Sequence, residues 1–118
     1  MKIKNKAYYL STCDTCKRIL KELNISKKFD LQDIKFDKIT LSQLEEMRDL
    51  TDSYESLLNK RARKYTEYKS KNLSENDIKD LILEEYTFLK RPVFIYENEI
   101  FIGNSKKVVT ELKTKLKA

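Results

Sequence analysis

Cys13-Asp14-Thr15-Cys16 constrains this chain more than any other feature of its sequence. An apolar run, Ala7-Tyr8-Tyr9-Leu10, precedes it and fits a buried strand ending at residue 10. Ser11 to Thr15 form a polar turn rich in side chains that cap helices. Beyond Cys16, Ile19, Leu20 and Leu23 recur at helical spacing as far as Asn24. The two thiols therefore stand where a strand hands over to a helix. They are the only cysteines, and the chain has no histidine. A tetrahedral zinc site would lack its remaining thiolate or imidazole ligands, so no metal is expected. The missing histidine also excludes Ser-His-Asp and Cys-His catalysis. A single glycine excludes the phosphate-binding loop and the dinucleotide fingerprint, which need several.

The lysines near the start are followed by only four apolar residues, too few for an export signal, and no stretch approaches a membrane span. The chain is thus expected in a reducing cytoplasm, without a membrane partner. There, a C-x-x-C that follows a strand and opens a helix is a thioredoxin-like redox signature. Free backbone N–H groups and the positive dipole end at a helix start favour a thiolate. Lys17 and Arg18 add positive charge nearby. Cys13 is expected to be the exposed nucleophile. Cys16, in phase with Ile19 and Leu20, is expected to be a more buried resolving thiol, so that the pair can form a redox-active disulfide.

The remaining elements follow from periodicity. Residues 29–34 alternate as a half-exposed strand does. Thr40 and Gln43 form a capping-box pattern, and Leu41, Leu44, Met47 and Leu50 with Leu57 and Leu58 form an apolar helical stripe. A second helix start lies at Leu73 to Asp77, leading into Ile78, Leu81, Ile82 and Leu83. After Arg91-Pro92, the runs Val93–Tyr96 and Ile100–Ile102 flank Glu97-Asn98-Glu99 as a hairpin. Gly103 breaks the pattern as a positive-φ turn or a helix start, and Val108, Val109, Leu112 and Leu116 mark a closing helix. The order β-α-β, helices, β-β-α predicts one α/β domain over residues 1–118, with a helical insertion at about 40–88. The first two strands are expected parallel through a right-handed crossover, and the last two antiparallel.

The net charge is +6, which admits anionic substrates, acidic protein surfaces or nucleic acid as partners. The densest basic stretch is Lys60-Arg61-Ala62-Arg63-Lys64, with Tyr65 and Tyr68 interleaved. Such a stretch could stack bases. A solvated helix face is the favoured reading, and direct nucleic-acid binding is not expected.

Three segments carry a resemblance to a known family. They are Tyr9-Leu-Ser-Thr-Cys13-Asp-Thr-Cys16-Lys-Arg, Leu57-Leu-Asn-Lys-Arg61-Ala-Arg63-Lys-Tyr65 and Leu89-Lys-Arg91-Pro92-Val93. In this order and spacing the chain resembles the arsenate reductase (ArsC)/Spx/YffB family over nearly its whole length. The resemblance implies a thioredoxin-like fold, a mixed four-stranded sheet with an inserted helical bundle. It implies that Pro92 is a cis proline before the third strand, set against the active cysteine, bringing Arg91 close to Cys13.

It also implies a chemistry. In arsenate reductases of this type the first cysteine attacks the oxyanion, glutathione adds as co-substrate, and glutaredoxin supplies electrons. Arginines hold the anion, for which the guanidinium fork is suited. Arg91 matches the family's Arg-Pro motif. Arg61 matches the insertion arginine of the YffB and Spx branches, whereas arsenate reductase proper carries its arginine nearer the position of Asn59. The third arginine of arsenate reductase would fall around Gly103-Asn104, and here there is none. The glycine is like Spx and YffB, and the second cysteine is like Spx. The implied function is a thiol-dependent oxidoreductase with Cys13 as nucleophile, taking a small oxyanion or thiol substrate, with glutaredoxin or thioredoxin as donor and no bound cofactor. The alternative is a Spx-like regulator that binds RNA polymerase through a Cys13-Cys16 switch.

Overall fold

The computed structural model describes residues 5–24 and 29–117. The chain divides into two compact units, residues 1–37 with 91–118, and residues 38–90.

The first unit holds a four-stranded sheet, β1 (Lys6–Tyr9), β2 (Asp30–Asp33), β3 (Val93–Tyr96) and β4 (Glu99–Ile102), in the order β2-β1-β3-β4. β1 and β2 are parallel, while β1 with β3 and β3 with β4 are antiparallel, giving the expected mixed sheet. Ala7, Phe94 and Phe101 lie side by side in register. With Phe29 they face one apolar cluster, into which α1 (Asp14–Glu22) sends Ile19, its C-cap sends Leu23, and α4 (Lys106–Lys117) sends Leu112. α1 ends as its sequence directs. Leu23 and Asn24 bond back to Ile19 and Lys21, and Asn24 takes the left-handed conformation common just past a helix end.

The hairpin turn is shorter than the sequence pattern suggests. Only Glu97 and Asn98 form it, both with positive φ, and Glu99 already pairs with Tyr96. Such a two-residue turn follows the right-handed twist of its strands. The Asn5 side chain accepts the Glu97 N–H at 3.1 Å and secures the less favourable of the two residues.

Gly103 ends β4 at φ +91, which settles it as a positive-φ turn rather than a helix start. Its N–H donates to the Pro92 carbonyl at 2.9 Å, so the chain's one glycine and one proline are joined. A Cβ at this position would meet nothing within 4 Å. Gly103→Ala is therefore expected to cost only the backbone term, roughly 1 kcal/mol. Urea unfolding measures it, and a cost above about 3 kcal/mol would contradict an open environment.

In the second unit, α2 (Leu41–Leu50) carries the expected Thr40–Gln43 capping box, and α3 (Glu75–Glu84) carries one between Ser74 and Asp77. The stripe is shorter than its leucines suggest. Leu44 and Met47 are fully buried, but Leu41 is 46% exposed. Ile39, just before the cap, is buried instead, and with Leu44 it occupies the positions of a hydrophobic staple. Leu57 and Leu58 belong to no continuation of α2. A short 3-10 turn places them in the core, where Leu58 bridges to Leu89. The basic stretch is likewise no α-helix. Arg61 and Arg63 are exposed in turns and a five-residue 3-10 segment, and Lys64 is held by Glu85 at 2.7 Å.

Candidate active site

The site is built at one end of the first unit's sheet. β1 delivers the chain to Leu10, a turn bonds the Cys13 N–H to the Leu10 carbonyl at 3.0 Å, and Cys13 becomes the N-cap of α1. Its own carbonyl accepts the Lys17 N–H at 3.1 Å, closing the first helical turn. Cys13 is partly exposed and Cys16 is buried, both as free thiols.

The two thiols titrate in opposite senses. Burial raises the Cys13 pKa, but this is outweighed by the Cys16 backbone N–H, the Cys16 thiol, the Arg91 charge and the Thr15 N–H. The result lies below the ordinary value of 9.0. These helix-start N–H groups have no carbonyl of their own, and a thiolate satisfies them. Burial pushes Cys16 up to about 12, reinforced by its neighbour Cys13. At neutral pH Cys16 is thus a proton-bearing donor to Cys13, and Cys13 is the sulfur poised to ionise.

The Arg91–Pro92 bond is cis, and Pro92 is buried directly before β3. Arg91 is half-buried with its Nε fully enclosed, and its charge reaches both thiols. The structure thus brings together Cys13, Cys16, Arg91, Pro92 and Gly103. Arg61 lies on the second unit, exposed.

One contributor is absent from the sequence reading. The Asp33 carboxylate accepts the Ser11 N–H at 3.3 Å and the Lys35 N–H at 3.2 Å, fixing the turn that leads into Cys13. Burial raises its pKa, but Ser11 and the Lys35 N–H and charge hold it below 3.8. The signal lay in the strand pairing. Parallel register sets Asp33 beside Tyr9, so the last residue of β2 meets the loop after β1.

A mixed sheet with a C-x-x-C at the start of its first helix and a cis proline directly before its third strand defines a thioredoxin-like thiol protein. A model of the ArsC family matches residues 8–112, and the chain belongs to that family. Its fold is shared by an ArsC-family-related protein from Bacteroides fragilis, 21% identical, covering 93% of this chain and 98% of that one, TM-score 0.77. An arsenate reductase from Vibrio cholerae is 15% identical over 94% of this chain and 98% of its own, with TM-score 0.72. An arsenate reductase related protein from Brucella melitensis is 19% identical over 98% and 97%, with TM-score 0.69. No curated protein matches the chain. Among the described residues no helix is long and apolar enough to cross a membrane.

Proposed function

We propose that the protein is a thiol-dependent oxidoreductase of the arsenate reductase type, working in a reducing cytoplasm. Its membership of the ArsC family supports the class. The observation that carries the reading is the opposition of the two thiols, Cys13 low and partly exposed, Cys16 high and buried. The Cys13 thiolate attacks the pentavalent centre of an oxyanion, forming a sulfur bond to it, and a hydroxyl takes a proton from solvent and leaves as water. Arg91 balances the charge that the thiolate and the anion bring together. Glutathione then attacks the adduct. Two sulfurs give up two electrons and join as a Cys13–glutathione disulfide, and the trivalent product leaves. A glutaredoxin or thioredoxin thiol returns Cys13 to its reduced state by disulfide exchange.

The test is NADPH consumption with arsenate, glutathione, glutaredoxin and its reductase. The wild type is expected to turn over, with the Cys13→Ser variant at background. A wild type no faster than the variant overturns the arsenate reading. The contact between the two thiols favours a second reading, a Cys13–Cys16 redox switch that binds RNA polymerase. Association with the polymerase that changes on oxidation, without turnover, would establish that reading instead.

A further inference from the structure

The basic residues that stand out in the sequence lie in the second unit and are partly neutralised, Lys60 by Glu55 and Lys64 by Glu85. The stronger concentration emerges only on folding. α1 carries Lys17, Arg18 and Lys21 against Asp14 and Glu22, and α4 carries five lysines against Glu111. These two helices thus hold eight cations against three acids, a net +5 of the chain's +6. Their apolar sides meet in a single cluster on one face of the sheet. Their charged sides therefore both face solvent from the same side of the unit. Among the described residues, Arg18, Lys21, Lys106, Lys107, Lys113 and Lys117 have no ion pair.

Strand pairing fixes where this surface lies relative to the thiols. Tyr8 pairs with Val93 and Val93 with Ile102, so the end of β1, Pro92 and Gly103 share one end of the sheet. Cys13 at the start of α1 and Lys106 and Lys107 at the start of α4 stand at that same end. From there α4 extends about 18 Å. That is far longer than a small oxyanion and comparable to the contact face of a small protein. Neither helix holds an aromatic residue on which bases could stack, and seven of the eight cations are lysines, point charges rather than phosphate-gripping forks.

We infer that the α1–α4 face is a docking surface for a protein with an acidic face, which it steers so that the partner's sulfur meets Cys13. The inference rests on Cys13 being the reactive group. Complementary charge of this kind acts chiefly on the rate of encounter.

The experiment uses two helical peptides, one rich in glutamate and one with glutamine in its place. Each carries one cysteine activated as a mixed disulfide with thionitrobenzoate. Attack by the Cys13 thiolate forms a Cys13–peptide disulfide, breaks the activated bond, and releases thionitrobenzoate as a coloured thiolate. The acidic peptide is expected to react at least about 10-fold faster at low ionic strength, with the advantage vanishing near 1 M salt. The Lys106→Glu/Lys107→Glu/Lys113→Glu variant should lose that advantage and keep the wild-type rate with the glutamine peptide. Acids in the first turn of α4 suit its dipole, and circular dichroism checks that the helix is retained.

Equal rates for the two peptides, or an advantage that survives charge reversal, would overturn the inference. If neither peptide reacts, the reading of Cys13 fails. The surface is then judged by fluorescence anisotropy with a cysteine-free acidic peptide, which should bind the wild type and not the variant. A DNA duplex that binds more tightly than this peptide and displaces it would overturn the inference in favour of nucleic acid.

Discussion

At pH 7, iodoacetamide is expected to alkylate Cys13 at least about 30-fold faster than Cys16. The margin follows from two opposing effects. With Cys16 near 12 and Cys13 below 9.0, the thiolate populations differ by at least about 1,000-fold. A more basic thiolate is intrinsically the better nucleophile, which returns roughly 15–30-fold of that to Cys16. Population therefore wins. Burial widens the gap, because Cys16 is fully buried and the reagent must reach it through the packed side of α1. Mass spectrometry of the folded protein after brief exposure reads both sites together, and similar rates would contradict the assignment of roles. The sign with pH is also fixed. A lowered pKa keeps Cys13 reactive as pH falls below 9.0, where an ordinary cysteine is already losing its thiolate.

Phe94→Ala is expected to cost about 3–5 kcal/mol, a large part of the roughly 5–15 kcal/mol that stabilises a typical domain. Phe94 is fully buried on β3, between Ala7 and Phe101 in register, and meets the Phe29 ring edge-on at 6.0 Å. α1 and α4 close over the same cluster, so the cavity left by the ring could be filled only by moving a helix. Phe36, 77% exposed, supplies the control, and its replacement by alanine should change stability by less than about 0.5 kcal/mol. Urea unfolding followed by far-ultraviolet circular dichroism gives both values. A loss below about 1 kcal/mol at Phe94 would mean that the cluster is not the core of this unit.

The parts of the fold and of the site visible in the sequence are those set by local chemistry. Cys13 stands between an apolar run and a helical period, and the structure makes it the N-cap. The Thr40–Gln43 and Ser74–Asp77 pairs specify their helix starts because each satisfies N–H groups within a single turn. What escaped notice depends on contacts between distant segments. Asp33 gains its place only when β2 lines up beside β1, and Leu41 turns outward because Ile39 takes the buried position. Leu57 and Leu58 match a helical stripe in spacing yet reach the core from a turn. The shared basic face of α1 and α4 is hidden for the same reason, since more than 80 residues of sequence separate helices that share one cluster.

The central claim is that helix start, neighbouring thiol and Arg91 together hold Cys13 ready as a thiolate. Its most direct test is the pH at which Cys13 is half ionised, followed by ultraviolet thiolate absorbance in the Cys16→Ser variant, which keeps a hydroxyl donor and leaves a single sulfur to titrate. The midpoint is expected below 9.0, and it should rise when Arg91→Met removes the nearby positive charge. A midpoint at or above 9.0, unmoved by the loss of Arg91, would contradict the account.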